Sequence, residues 1–200
     1  MKKIILKLLL LSSLVSCTKD DVSKEIVFIL PPETQVGANT FGVTINGKVY
    51  IPKDPEIFDL YSLVNKGVVL WGSPDGISYQ ELEIKGFSGF KLFIHMQDVQ
   101  TIGQGQYVLN ESNFQEGVDS NPNPNIFFRV YTADLNGYSY YSSMLDESVL
   151  NITRYDFADR IISGNFSGKF IKYGTIDDII TITDGRFDID WDTILNTPFP

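Results

Sequence analysis

Apolar and polar residues alternate with a period of two along much of this chain. Leu82 and Ile84 share one side of a segment over 81–87, Leu92, Ile94 and Met96 one side of 91–96, and Ile162, Phe166 and Phe170 one side of 161–171. That period belongs to strands, whose successive side chains point to opposite faces. The pattern predicts strands at 41–45, 48–51, 68–71, 81–87, 91–96, 106–109, 126–132, 138–143, 149–155, 161–171 and 179–191. Ile57 to Asn65 is the one modest helix candidate. Without a strand–helix–strand rhythm, the fold expected is all-β: a single antiparallel β-sandwich or barrel-like domain.

Turn residues fix parts of the register. Asn46-Gly47 separates Phe41–Ile45 from Lys48–Ile51, and supplies the two positive-φ positions of a type I′ hairpin. A two-residue loop sets Val43 opposite Tyr50 and Ile45 opposite Lys48, with Phe41, Val43 and Tyr50 on one face. Gly164 and Gly168 lie on the face of Ile162, Phe166 and Phe170, which predicts close packing or a bend. Asp184-Gly185 predicts a turn or bulge in the last strand. The stretch 113–125, with Asn121-Pro122-Asn123-Pro124-Asn125, reads as a loop.

The amino terminus has a different pattern. Lys2 and Lys3 precede an apolar run over 4–11 broken only by Lys7, and Ser16 stands before Cys17, the only cysteine of the chain. Basic start, short apolar run and small residue form a secretory signal peptide. The apolar run is well short of the roughly 20 residues that span a bilayer. Leu14-Val15-Ser16-Cys17 resembles a bacterial lipobox, which implies cleavage between Ser16 and Cys17 and a lipid on Cys17. Thr18-Lys19-Asp20-Asp21 follows, and Lys19, Asp20 and Asp21 resemble the surface-export signal of Bacteroidota lipoproteins, with a solvated charged tether as the alternative. The organisation expected is a signal peptide over 1–16, a lipidated tether over 17–38 and one β-rich domain over 39–200.

Composition narrows the partners. Phe 14 and Tyr 10 supply bulk for a core, and the formal charge of −9 becomes −12 when Lys2, Lys3 and Lys7 leave with residues 1–16. Such a chain repels phosphate backbones, so no nucleic acid is expected, and membrane contact is left to the N-terminal lipid. With Cys17 consumed by lipid, the domain has no disulfide and no thiolate.

Catalytic and cofactor chemistry finds little support. Gly42-Val43-Thr44-Ile45-Asn46-Gly47-Lys48 approaches a phosphate-binding loop, but Val49 stands where a Ser or Thr would hold magnesium, and a hairpin explains the same residues. His95, the one histidine, reads as a packed or rim residue of its strand rather than as a base. Asp188, Asp190 and Asp192 read as a solvated strand face, and neither they nor Asp177-Asp178 match a calcium loop. No catalytic residue, metal or cofactor is therefore expected. Trp71, Trp191, Tyr138, Tyr140 and Tyr141 would offer a sugar-stacking platform if exposed on one face.

The run from Leu30 to Gly42, continued by Ile45-Asn46-Gly47-Lys48, resembles the start of a family of uncharacterised Bacteroidota outer-membrane lipoproteins. Residues 161–168 and 180–188 resemble its C-terminal strands. Members of that family often carry Cys and Trp where Val43 and Tyr50 stand, which agrees with the cross-strand pair set by the hairpin. The family has no known function, so the resemblance implies an outer-membrane location, facing the cell surface or the periplasm, and no site residues. The function expected is a lipid-anchored, non-catalytic β-domain that binds a glycan or envelope protein. A structural or assembly role in the envelope is the alternative, and hydrolysis by paired acids a third.

Overall fold

A computed structural model describes residues 27–56, 65–116, 122–132 and 137–200. Ten strands among them form one curled antiparallel sheet, a half-barrel. They are β1 Thr40–Ile45, β2 Lys48–Tyr50, β3 Val68–Gly72, β4 Tyr79–Lys85, β5 Lys91–Gln97, β6 Gly105–Val108, β7 Asn125–Thr132, β8 Gly137–Asp156, β9 Ile161–Lys172 and β10 Ile179–Asp190. Their order is β2-β1-β10-β9-β8-β7-β5-β4-β3, with β6 pairing β8 off that path. The all-β, barrel-like expectation holds, and a single sheet favours the barrel-like form over the sandwich. The predicted helix over 57–65 lies outside the described residues, save Asn65.

The hairpin forms as its turn requires. Asn46 and Gly47 have φ of 46° and 78°, and Val43 pairs with Tyr50 and Ile45 with Lys48. Phe41 and Val43 are buried in the core, and Tyr50 packs against it. The Asp184-Gly185 bulge appears as a register break between Ile182 and Gly185 on β9 and β10. Segments 138–143 and 149–155, read as two strands, are one long strand, β8, whose pairing with β9 slips between Ser143 and Ser148. Gly168 lies at this slip with φ 137°. A Cβ at Gly164 would stand 2.7 Å from the Asn151 carbonyl oxygen and 2.8 Å from Phe187. The two glycines therefore let β8 and β9 bend together around the core.

The core fills the concave side with Phe41, Ile84, Ile94, Phe128, Phe166 and Phe170 among others. The curl nearly brings the sheet ends together. Beyond β2 the chain crosses to β4, where Pro52 bridges Gly86 and the Lys53 N–H donates to the Lys85 carbonyl at 2.8 Å. Tyr50 stacks on Phe90 with centroids 4.7 Å apart.

The convex side of β4 and β5 is covered as well. Glu81, Phe93 and His95, which alternate with core residues, are 1%, 3% and 0% exposed. Phe114, at φ 61°, forms part of that cover, edge-on to Phe127, Tyr140 and Tyr173. The N-terminal segment also lies on the domain. Contacts from residues 30 to 38 cross the tether–domain boundary expected at residue 39.

Candidate ligand-binding cleft

Where that convex cover parts, a cleft of about 740 Å³ opens over β4, β5 and β7. Its floor comes from alternate positions of paired strands. Lys85 of β4 lies opposite Lys91 of β5, and Lys91 opposite Arg129 of β7, so three cations form one cross-strand row. Like charges directly opposed on a sheet repel, so such a row needs counter-charge. Glu83, two residues before Lys85 on the same face, supplies part of it.

Glu83 is 6% exposed. Its Oε1 lies 3.1 Å from Lys91 Nζ and 3.4 Å from Lys85 Nζ, and its Oε2 accepts from Trp71 Nε1 at 2.8 Å. Burial favours the neutral acid, but the Lys91 charge, the Trp71 hydrogen bond and Lys85 outweigh it and hold the carboxyl below its ordinary 4.5. Glu83 is thus a fixed anion that positions both lysines and the Trp71 indole.

The rim is built by loops. Lys91 Nζ also meets Glu116 at 3.1 Å, Lys53 meets Glu56 at 2.6 Å, and Asp54 meets Lys66 at 3.7 Å. Phe87 lies in the 3-10 turn Phe87–Gly89, with Lys53 Nζ 4.5 Å from its ring centroid and the tilted ring of Phe28 at 4.7 Å. Ser88 and Gly89 have φ of 56° and 73°. A Cβ at Gly89 would collide with the ring of Tyr138, so glycine there lets the turn close over that tyrosine. Tyr138 in turn carries the Arg129 guanidinium 4.7 Å from its ring centroid.

Beside the cleft, His95 Nδ1 lies 3.2 Å from Glu81 Oε2, its Nε2 lies 3.3 Å from Gln97 Oε1, and the Tyr79 ring lies 4.9 Å away. Of the packed and rim positions that the sequence left open for His95, the structure takes the packed one.

Other sequence candidates are dispersed. The five aromatics do not share a face. Trp71 lines the cleft, Tyr138 and Tyr140 are partly exposed nearby, Tyr141 points into the core, and Trp191 packs against Tyr155 and Phe157. The reading of Asp188 as solvated strand face is corrected, because Asp188 is 1% exposed. It accepts from the hydroxyls of Thr34 at 2.6 Å and Ser163 at 2.7 Å, and from the N–H groups of Val36, Gly37 and Ala38. The N-terminal segment folding back over β10 covers it, which strand periodicity alone does not reveal. Asp192 is exposed as read. Asp178 pairs with Lys172 at 3.2 Å. Among the described residues no three His, Cys, Asp or Glu side chains gather as metal ligands. Ser16, Cys17, Lys19, Asp20 and Asp21 lie outside the described residues.

Sequence reasoning singled out Trp71 but missed Glu83, Lys85, Lys91 and Arg129. The charged positions of Glu81-Leu82-Glu83-Ile84-Lys85 carry a signal: carboxylates and a lysine alternating with core residues. The row itself needed the β5–β7 register, across more than twenty residues that include β6. Comparison with family profiles, with curated proteins and with solved structures finds no match for this chain.

Proposed function

We propose that this chain is a lipid-anchored envelope protein whose β-domain binds a small ligand, without catalysis, in the cleft over β4, β5 and β7. The observation that carries the reading is the cleft itself, about 740 Å³ with a rigid charged floor and aromatic walls. That volume lies within the roughly 300–1,000 Å³ of small-molecule sites. Its floor is on strands and its rim on loops, the usual division between scaffold and recognition.

A binding role is favoured over hydrolysis by the state of Glu83, the most enclosed acid of the cleft. Paired-acid hydrolysis needs one carboxyl kept protonated, whereas the neighbours of Glu83 hold it ionised. An assembly role through strand edges has less support, because β2 and β3 at the sheet ends have 3 and 5 residues. Anchoring by Cys17, export by Lys19, Asp20 and Asp21, and a surface-facing outer-membrane location rest on the sequence motifs.

The test is a saccharide panel, neutral and acidic, titrated into the full chain while the Trp71 indole and Lys91 signals are followed by NMR. A ligand should shift those signals and leave Trp191 unmoved. If every ligand of the panel leaves the cleft signals in place, the cleft is not a site for this class and the proposal fails.

A further inference from the structure

We infer that the cleft takes its ligand by an oxyanion, a carboxylate or sulfate seated against Arg129 and Lys91. This rests on the cleft being the ligand site and names the chemistry that the site reads. Arg129 has no carboxylate within ion-pair distance among the described residues, and its Nε is buried without a hydrogen-bond partner. Buried guanidinium donors are costly to leave unmet, because the group remains charged at any physiological pH. The chain has no shortage of acids, with Asp+Glu 25 against Lys+Arg 16. Among the described residues none of those acids stands within ion-pair distance of Arg129.

The surrounding charges sharpen the point. Asp54, Glu56, Glu83 and Glu116 line the cleft, and each already has a cation: Lys66, Lys53, Lys85 with Lys91, and Lys91. Among the described residues, Arg129 at the end of the Lys85–Lys91–Arg129 row is the cation of that row with no carboxylate within ion-pair distance. Tyr138 fixes the guanidinium plane from one side, so its remaining fork is oriented in advance. A planar carboxylate, or a sulfate, fits such a fork by paired N–H donors, and the adjoining lysine adds a point charge. The negative field of the rest of the chain would slow entry of such a ligand, so the site must hold it by local contacts.

The test compares D-glucuronate with its methyl ester, D-glucose and inorganic sulfate on the full chain, read by calorimetry and by the Arg129 Nε signal. Glucuronate should bind at least about tenfold tighter than the ester or glucose, and sulfate should compete with it. Arg129→Gln should weaken glucuronate at least about tenfold, far more than it weakens glucose, and Arg129→Lys should recover part of the loss. Thermal melts of both variants separate lost recognition from lost folding. If ester and glucose bind as tightly as glucuronate, and Arg129→Gln changes nothing, the oxyanion inference falls while the cleft remains a ligand site. Sulfate binding indifferent to Arg129→Gln marks an adventitious ion only and also overturns it. Silence from every probe and from the neutral panel would remove both proposals.

Discussion

Asn46 turns the β1–β2 hairpin with φ 46°, a conformation a β-branched side chain tolerates poorly. Asn46→Val should therefore cost on the order of 1–3 kcal/mol in urea unfolding. Its side chain adds to the loss, because Asn46 Oδ1 accepts from the Thr181 N–H at 3.0 Å. Val43→Asp should cost more, since it places an unpaired carboxylate opposite Tyr50 in the core. Tyr50→Trp should be nearly neutral, because Tyr50 is only partly buried. At this scale the sequence was readable, because an Asn-Gly turn determines the register of its own two strands. Glu83 was not readable in the same way. Its partners Trp71 and Lys91 come from neighbouring strands, and only their pairing shows that a charged residue in an alternating run is enclosed.

Between elements, the contact with the clearest consequence is that of β10 with the chain ahead of β1. Burial alone would raise the Asp188 carboxyl, but hydrogen bonds from Thr34, Ser163 and the Ala38 and Gly37 N–H groups prevail, and it sits below its ordinary 3.8. A carboxyl depressed on folding contributes stability above its unfolded value, lost as pH falls through the folded one. The 34–38 segment should accordingly stay bound at neutral pH and loosen only below about pH 3.8. Amide exchange of Gly37 and Ala38 measured against pH checks this, and protection unchanged well below that pH would refute it. Asp188→Ala should remove that protection at every pH and cost roughly 1–3 kcal/mol, as buried donors lose their acceptor. A second clasp helps, since Asn39 Nδ2 donates to the hydroxyls of Thr193 and Thr197, both at 2.8 Å. The strand pattern located β10 but not this packing, because residues 34–38 follow no strand or helix period.

For the whole molecule, the architecture was legible where alternation was strong and lost where both faces of a strand are covered. β4 and β5 are buried along both sides, so an acid such as Glu81, alternating with core residues, carries no sign in the sequence that it is enclosed. Single-strand patterns also could not reveal that 138–143 and 149–155 join into β8, since the slip at Gly168 carries the pattern across. Cys17→Ala should abolish lipid labelling and release the protein from membranes, and unchanged labelling and fractionation would refute the lipobox. On intact cells, added protease should degrade the native protein and spare the form with Lys19, Asp20 and Asp21 replaced by alanine. Equal protection of the two forms would leave those residues as an ordinary solvated tether.

The Asp188 contacts also have a mechanical meaning. In a chain held at its amino terminus, tension travels inward along residues 28–38 and reaches one carboxylate before it reaches β1. Four of the five donors to that carboxylate lie on the loaded segment, at Thr34, Val36, Gly37 and Ala38. They share the load and should yield together as a single event. Their rupture would free residues 34–38, at most roughly 16–18 Å of chain, while β1 stays clamped between β2 and β10. Drawn between two handles, the protein should thus lengthen by that short step before the sheet gives way, and Asp188→Ala should erase the step. The latch behaves as a fuse that absorbs a pull before the half-barrel feels it.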